Sequence, residues 1–176
     1  MAKKAKGPGF AASIKSFFCD EKVQFLFGIG LIFIGIFLLL AMISFLFSGG
    51  NDYSLLHQSL EDLQGEAKPF RNLCGASGAK AANLLINQWF GIASFTIPVF
   101  LCIWGYKLVV PSKSGSILRK FFILAFFTVW VSLVMALALP EIPAAPYLQL
   151  GGNHGRMLVN LAILTMGKLG LTLFLA

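Results

Sequence analysis

Apolar positions in this chain fuse into four unbroken runs, residues 23–47, 90–110, 117–139 and 158–176. Each approaches the ~20 apolar residues with which a helix crosses a bilayer. In hydrocarbon every backbone N–H and C=O must be paired within the protein, so the runs are expected as helices or closed-barrel strands. Barrel strands alternate lipid-facing and lumen-facing side chains, and these runs do not alternate. The expected fold is therefore an all-α integral membrane protein with four transmembrane helices, the fourth opening near Gly155 and running through 155–176. The first run is too long for a signal-peptide core, and no small-x-small cleavage site follows Phe47. The chain stops inside the fourth run, which reads as an anchor separated from something longer.

The polar stretches predict the connections. Residues 1–22 form a basic tail, with disorder expected over 1–9 and a short interfacial helix over 10–18. Outer loops are expected over 48–89 and 140–154. Ser48-Gly49-Gly50-Asn51 predicts a helix stop. Leu56, Leu60 and Leu63 recur at helical spacing and predict a short amphipathic helix. Lys80, Asn83 and Asn87 form a polar stripe opposite Ala81, Ala82, Leu85 and Trp89, the pattern of an outer interfacial helix leading into the second span. Pro98, in mid-span, predicts a kink. Pro140, Pro143 and Pro146 predict a stiff extended loop. Gly28 and Gly35 share a helix face, where small residues let helices approach closely. Trp130 is expected at a helix–helix contact. A weak repeat, Gly78-x4-Asn83-Leu84 and Gly155-x4-Asn160-Leu161, suggests two parallel hairpins.

Charge adds direction. The chain is 57% hydrophobic and carries a formal charge of +7. In a soluble protein that charge would point to nucleic acid; here it sorts by side. Lys3, Lys4, Lys6, Lys15 and Lys22 precede the first run. Lys107, Lys113, Arg119 and Lys120 surround the second connection, which has no acid. By the positive-inside rule the N-terminus and the second connection are cytoplasmic, the first and third connections face outward, and an even number of spans returns the C-terminus to the cytoplasm. Trp89 and Phe90, then Trp104 and Tyr106, mark the ends of the second span as interfacial anchors.

Little in the chain carries chemistry. The three cysteines, Cys19, Cys74 and Cys102, lack metal-ligand spacing. No GxxxxGK[ST] loop or HExxH pair occurs, so neither ATP hydrolysis nor another enzymatic activity, cofactor or metal is expected of these residues. Gly75-Ala76-Ser77-Gly78 matches the GxSG pattern of rhomboid proteases, with His154 as the conceivable base. Both residues lie beside loops rather than within a span, which argues against it. A small transporter or channel component is the alternative reading, but spans one and three offer only Ser44, Thr128 and Ser132 to a polar site. Lys168, within the fourth run, is expected to snorkel to the cytoplasmic face.

The order of motifs is more telling. Asn72-x-x-Gly75-x-x-Gly78-Ala79, Asn83-Leu84, Phe90-Gly91, Pro98, Gly105-Tyr106, a basic turn and Gly151-Gly152-x-x-Gly155 follow one another, after Asp52-x-Ser54 in the first outer loop. This series resembles the four-helix membrane domain at the N-terminus of the FtsK/SpoIIIE DNA translocases. The resemblance implies a multi-pass protein of the bacterial cytoplasmic (inner) membrane at the division septum. It implies an anchor and assembly role in cell division and chromosome segregation. It also implies self-association, contact with division proteins through the outer loop 48–72, and DNA and ATP–Mg handled only by a motor that this chain lacks. Gly28, Gly35, Gly75, Gly78, Asn83, Gly91, Pro98, Gly105, Gly155 and Asn160 are the expected packing residues.

Overall fold

The computed structural model describes residues 20–56, 70–110, 115–139, 143 and 145–175. The basic tail with Lys3, Lys4, Lys6 and Lys15, the helix expected over 10–18, the Leu60–Leu63 pattern and Lys113 lie outside the described residues. The described residues are helical without strands, and four helices are long and apolar enough to cross a membrane.

Helix α1, Glu21–Leu56, starts where Asp20 caps it. The Asp20 carboxylate accepts the Lys22 N–H at 2.9 Å, supplying a partner for an N–H with no acceptor in its own helix. The helix does not stop at Gly49-Gly50. It continues for two further turns because the two glycines seat a ring from elsewhere: a Cβ on Gly49 would lie 2.6 Å from the Tyr147 ring, and one on Gly50 3.3 Å away. Tyr147 donates its hydroxyl to the Leu46 carbonyl at 3.1 Å.

Beyond the first connection the chain descends along α1. Arg71 N–H binds the Asp52 carboxylate at 2.7 Å, Leu73 N–H the Ser44 hydroxyl at 2.9 Å, and the Asn72 amide the Ala41 carbonyl at 2.9 Å. Residues 72–74 thus lie beside the outer part of α1's apolar run. Helix α2, Gly75–Asn83, then climbs back, Ala82 joining Met42 and Phe45 in the principal core cluster. The expected interfacial helix is instead a re-entrant element packed lengthwise on α1. Irregular backbone at such depth is stable only where protein covers it. Here Asn72 is buried, and its side chain binds both Ala41 O and Cys74 N–H. Asn87 is likewise buried rather than part of a surface stripe.

A π-helical segment, Leu84–Phe90, and a 3₁₀ segment, Gly91–Phe95, lead into α3, Thr96–Val109. The bend of the second span lies at Trp89–Gly91, not at Pro98. Pro98 falls in the first turn of α3, where its missing N–H costs little. Helix α3 runs antiparallel to α1. A Cβ on Gly28 would meet the Gly105 carbonyl at 2.7 Å, one on Gly105 would meet the Gly28 carbonyl at 2.5 Å, and one on Gly35 would meet the Pro98 carbonyl at 2.9 Å. Gly28, Gly35, Pro98 and Gly105 therefore form one seam of backbone-to-backbone approach, the geometry that small residues allow in lipid.

Helices α4, Ile117–Ala138, and α5, Gly152–Leu175, form a second layer. Trp130 is no bundle contact: it is 37% exposed and sits edge-on to Phe127 of its own helix. Helix α5 is not straight. Gly167, at φ 74° and ψ 166°, breaks it. Leu171 and Leu175 share a cluster with Ala136 and Val159, although a straight helix would hold Leu171 about 18 Å from Val159. The segment after Gly167 therefore doubles back, and Lys168 is exposed at the bend, two turns before the helix end at Leu175.

The seam brings two helices into backbone-to-backbone contact, so bulk there should be costly. Gly105→Leu is expected to lower stability by about 1–3 kcal/mol or more. Gly30→Ala, whose new Cβ meets nothing within 4 Å, should leave stability unchanged or slightly raised. Unfolding midpoints in mixed detergent micelles separate the two.

Candidate functional site

The most constrained place in the molecule is the end of the bundle where the bend of the second span, the start of α5 and the last turns of α4 converge. A helix that breaks at Trp89–Gly91 strands several backbone groups, and each finds a partner. The Ile92 N–H binds the Leu150 carbonyl at 2.8 Å. The Ser94 hydroxyl accepts the Phe90 N–H at 3.2 Å and donates to the Leu85 carbonyl at 2.5 Å. His154 Nδ1 lies 2.7 Å from the Gln88 carbonyl. A carbonyl only accepts, so Nδ1 carries the proton. The imidazole also rests on Phe90, ring centroids 5.5 Å apart.

Gly91 makes the bend possible. Its φ of 68° and ψ of −142° are open to glycine alone, and a Cβ there would collide with the Leu150 carbonyl. Gly152 approaches from the start of α5: a Cβ on it would lie 2.5 Å from the Gly91 nitrogen. Against α4, a Cβ on Gly151 would meet Ala136 Cβ at 2.5 Å, and one on Gly155 the Ser132 carbonyl at 2.9 Å. The buried Ser132 hydroxyl donates to the Gly151 carbonyl at 2.7 Å. Three chain segments thus meet backbone to backbone in a glycine knot.

The knot is tied to α1 through the proline-rich loop. The Gln149 N–H binds the Asn87 side-chain oxygen at 3.0 Å, and the Asn87 amide donates to Asn83 at 2.7 Å. Two residues earlier, Tyr147 sits on Gly49 and Gly50 and edge-on to Phe45, centroids 6.3 Å apart. At the re-entrant turn, the buried Asp52 carboxylate accepts from Ser48 at 2.7 Å as well as from Arg71 N–H. A Cβ on Gly78 would lie 2.7 Å from the Asn72 side-chain oxygen.

The expected packing residues therefore fall into three groups. Gly28, Gly35, Pro98 and Gly105 meet in the α1–α3 seam. Gly91 and Gly155 meet in the knot. Gly78 and Asn83 lie in the re-entrant element, with Gly75 at its start in open space. Asn160 joins none of them, being exposed on α5, so the two copies of the repeat do not play equivalent parts. Among the topology-setting residues, Lys22 and Arg119 are exposed and Lys107 donates to the Gly115 carbonyl at 2.5 Å. Sequence reasoning missed Asp52, Asn72, Ser94, Ser132 and Tyr147 as ties. Only Tyr147, alone among prolines, carried a local signal.

Ser77 donates to the Cys74 carbonyl at 3.2 Å, while His154 is engaged with Gln88, so the serine and the histidine are not a nucleophile–base pair. Among the described residues no three His, Cys, Asp or Glu side chains converge. Gly91→Ala is expected to destabilise the fold by at least about 1–3 kcal/mol from the strained φ alone. Tyr147→Phe should cost only about 1 kcal/mol, the net worth of one hydrogen bond. Thermal unfolding of the detergent-solubilised chain measures both.

No curated protein and no solved structure matches the chain. A family model does: that of the 4TM region of the DNA translocase FtsK/SpoIIIE matches residues 22–176. The match runs from the start of α1 through the re-entrant element, the seam and the knot, and the chain accordingly belongs to the FtsK/SpoIIIE 4TM family.

Proposed function

We propose that this four-helix unit is the membrane anchor and assembly domain of a septal DNA translocase in the bacterial cytoplasmic (inner) membrane, acting in cell division and chromosome segregation. The family match over 22–176 carries the reading. The rest of the reasoning is mechanical. A motor pulling on DNA exerts its reaction force on whatever ties it to the membrane. Resistance to that force requires several helices that cannot slide independently. The α1–α3 seam and the glycine knot lock the helices through backbone contacts, which are the least compliant contacts a helix bundle makes. Confinement to two dimensions at one site also raises the local concentration of attached motor domains and favours their assembly.

On this reading ATP, Mg and DNA belong to a motor outside these residues, and the chain is not itself an enzyme. The basic tail and the second connection face the cytoplasm, by the distribution of Lys and Arg. The knot, Tyr147 and the first connection then face outward, where division-machinery membrane proteins are the partners. Self-association of the domain supports the motor's assembly.

A fluorescent-protein fusion of residues 1–176, expressed in a dividing bacterium without the endogenous translocase, should concentrate at the septum. Uniform membrane fluorescence from a stably inserted fusion refutes the septal role. In the same cells, a cysteine at Asn153 should react with a membrane-impermeant maleimide from outside, and one at Ser116 should not; the opposite pattern refutes the orientation.

A further inference from the structure

Helices α3 and α4 touch through a hydrogen bond between Thr96 and Thr128 and through the rings of Phe100 and Phe121, centroids 5.4 Å apart. Beside these contacts lies an open-sided cavity of about 220 Å³, floored by Leu124, Ala125 and Thr128 and rimmed by Phe100 and Phe121. A second hollow shares Phe100 and Phe121 and continues to Trp104, Ile117 and Leu118. The two form one groove descending toward the basic turn. From Thr96 to Trp104 it extends about 12 Å, at the rise of an α-helix.

The floor asks for an aliphatic ligand. Its hydroxyls are already committed: one of Thr96 and Thr128 donates to the other, and the accepting hydroxyl gives its own proton to a carbonyl of its own helix, Ala93 O or Leu124 O, each 2.7 Å away. A narrow, apolar, laterally open slot fits a single flexible chain better than a helix, which is about 10 Å across. The mouth asks for an anion. Lys107, on the last turn of α3, is held over the turn by its 2.5 Å bond to Gly115 O. Lys120 is half-buried on the first turn of α4. Helices α3 and α4 and the turn between them contain no Asp or Glu. Ammonium groups at that position match the phosphate of a diester.

We propose that the α3–α4 groove is a binding site for one anionic phospholipid, its acyl chain lying between Phe100 and Phe121 and its phosphate held by Lys107 and Lys120. This assignment is independent of the septal role. Charge complementarity at the mouth selects the headgroup, and the groove turns a general attraction of basic residues for an anionic leaflet into a site that saturates at one lipid.

Trp104 lines the lower groove and reports on its contents. With Trp89→Phe and Trp130→Phe it becomes the sole tryptophan, and bromine on an acyl chain quenches it on contact. In nanodiscs, chain-brominated phosphatidylglycerol should reach half-maximal quenching at a several-fold lower mole fraction than chain-brominated phosphatidylcholine. The variant K107Q/K120Q should bring the two curves together, and Ala125→Phe should remove the high-affinity phase by filling the floor. Coincident curves in the parent protein overturn the proposal, as does a preference that survives the double substitution. The unaltered chain gives a second reading: released from mixed-lipid nanodiscs in a mass spectrometer, it should retain one phosphatidylglycerol. Retention of none, or a lipid-free dimer that Ala125→Phe dissociates, assigns the groove otherwise.

Discussion

A polypeptide in hydrocarbon cannot leave backbone N–H or C=O groups unpaired, each costing several kcal/mol. Two of this chain's departures from continuous helix are the re-entrant descent at 71–74 and the bend at Trp89–Gly91. Both survive because other parts of the chain supply the missing partners. Asp52, Ser44 and Ala41 of α1 receive the descending strand. Ser94, His154 and Leu150 take up the groups released at the bend. The positions of α5 and of the proline-rich loop follow from this constraint, since the bend can form only where they close over it.

Glycine serves two purposes here. In the α1–α3 seam, Gly28, Gly35 and Gly105 remove side chains so that helices meet across their backbones. Dispersion is short-ranged, and without a hydrophobic force between helices in lipid such close approach is a principal source of cohesion. At Gly91 and Gly167 the requirement is conformational: backbone angles with positive φ redirect the chain. One bend draws α5 and the second span into a knot, and the other folds the last segment onto Ala136 and Val159. A bundle cross-linked in this way behaves as a unit.

Much of this was legible beforehand. Four helices follow from the four apolar runs, because length and hydropathy against a fixed bilayer thickness leave few alternatives. The order of glycine motifs pointed to the family that the whole-chain match then showed. Close approach at Gly28 and Gly35 was readable as a shared helix face, but not that Gly105 and Pro98 would meet it. Helix ends were read least well. Gly49-Gly50 looked like a stop, because glycine's local preference is weak in helices, yet a tyrosine about a hundred positions away needed that flat surface. Pro98 looked like the kink, yet the break fell about two turns earlier, at a residue whose conformation no proline imposes.

The sequence by itself determined that the chain lives in a membrane, how many helices are long enough to cross it, and which connections carry the positive charge. Those properties depend on local hydrophobicity and charge, which each segment carries wherever it packs. Only the tertiary structure decided that residues 71–90 re-enter beside α1, that the second span bends at Gly91, and that α5 doubles back at Gly167. These outcomes rest on pairings between segments far apart in the chain, in which a stranded carbonyl or a bare glycine face is completed by a partner that no local pattern announces.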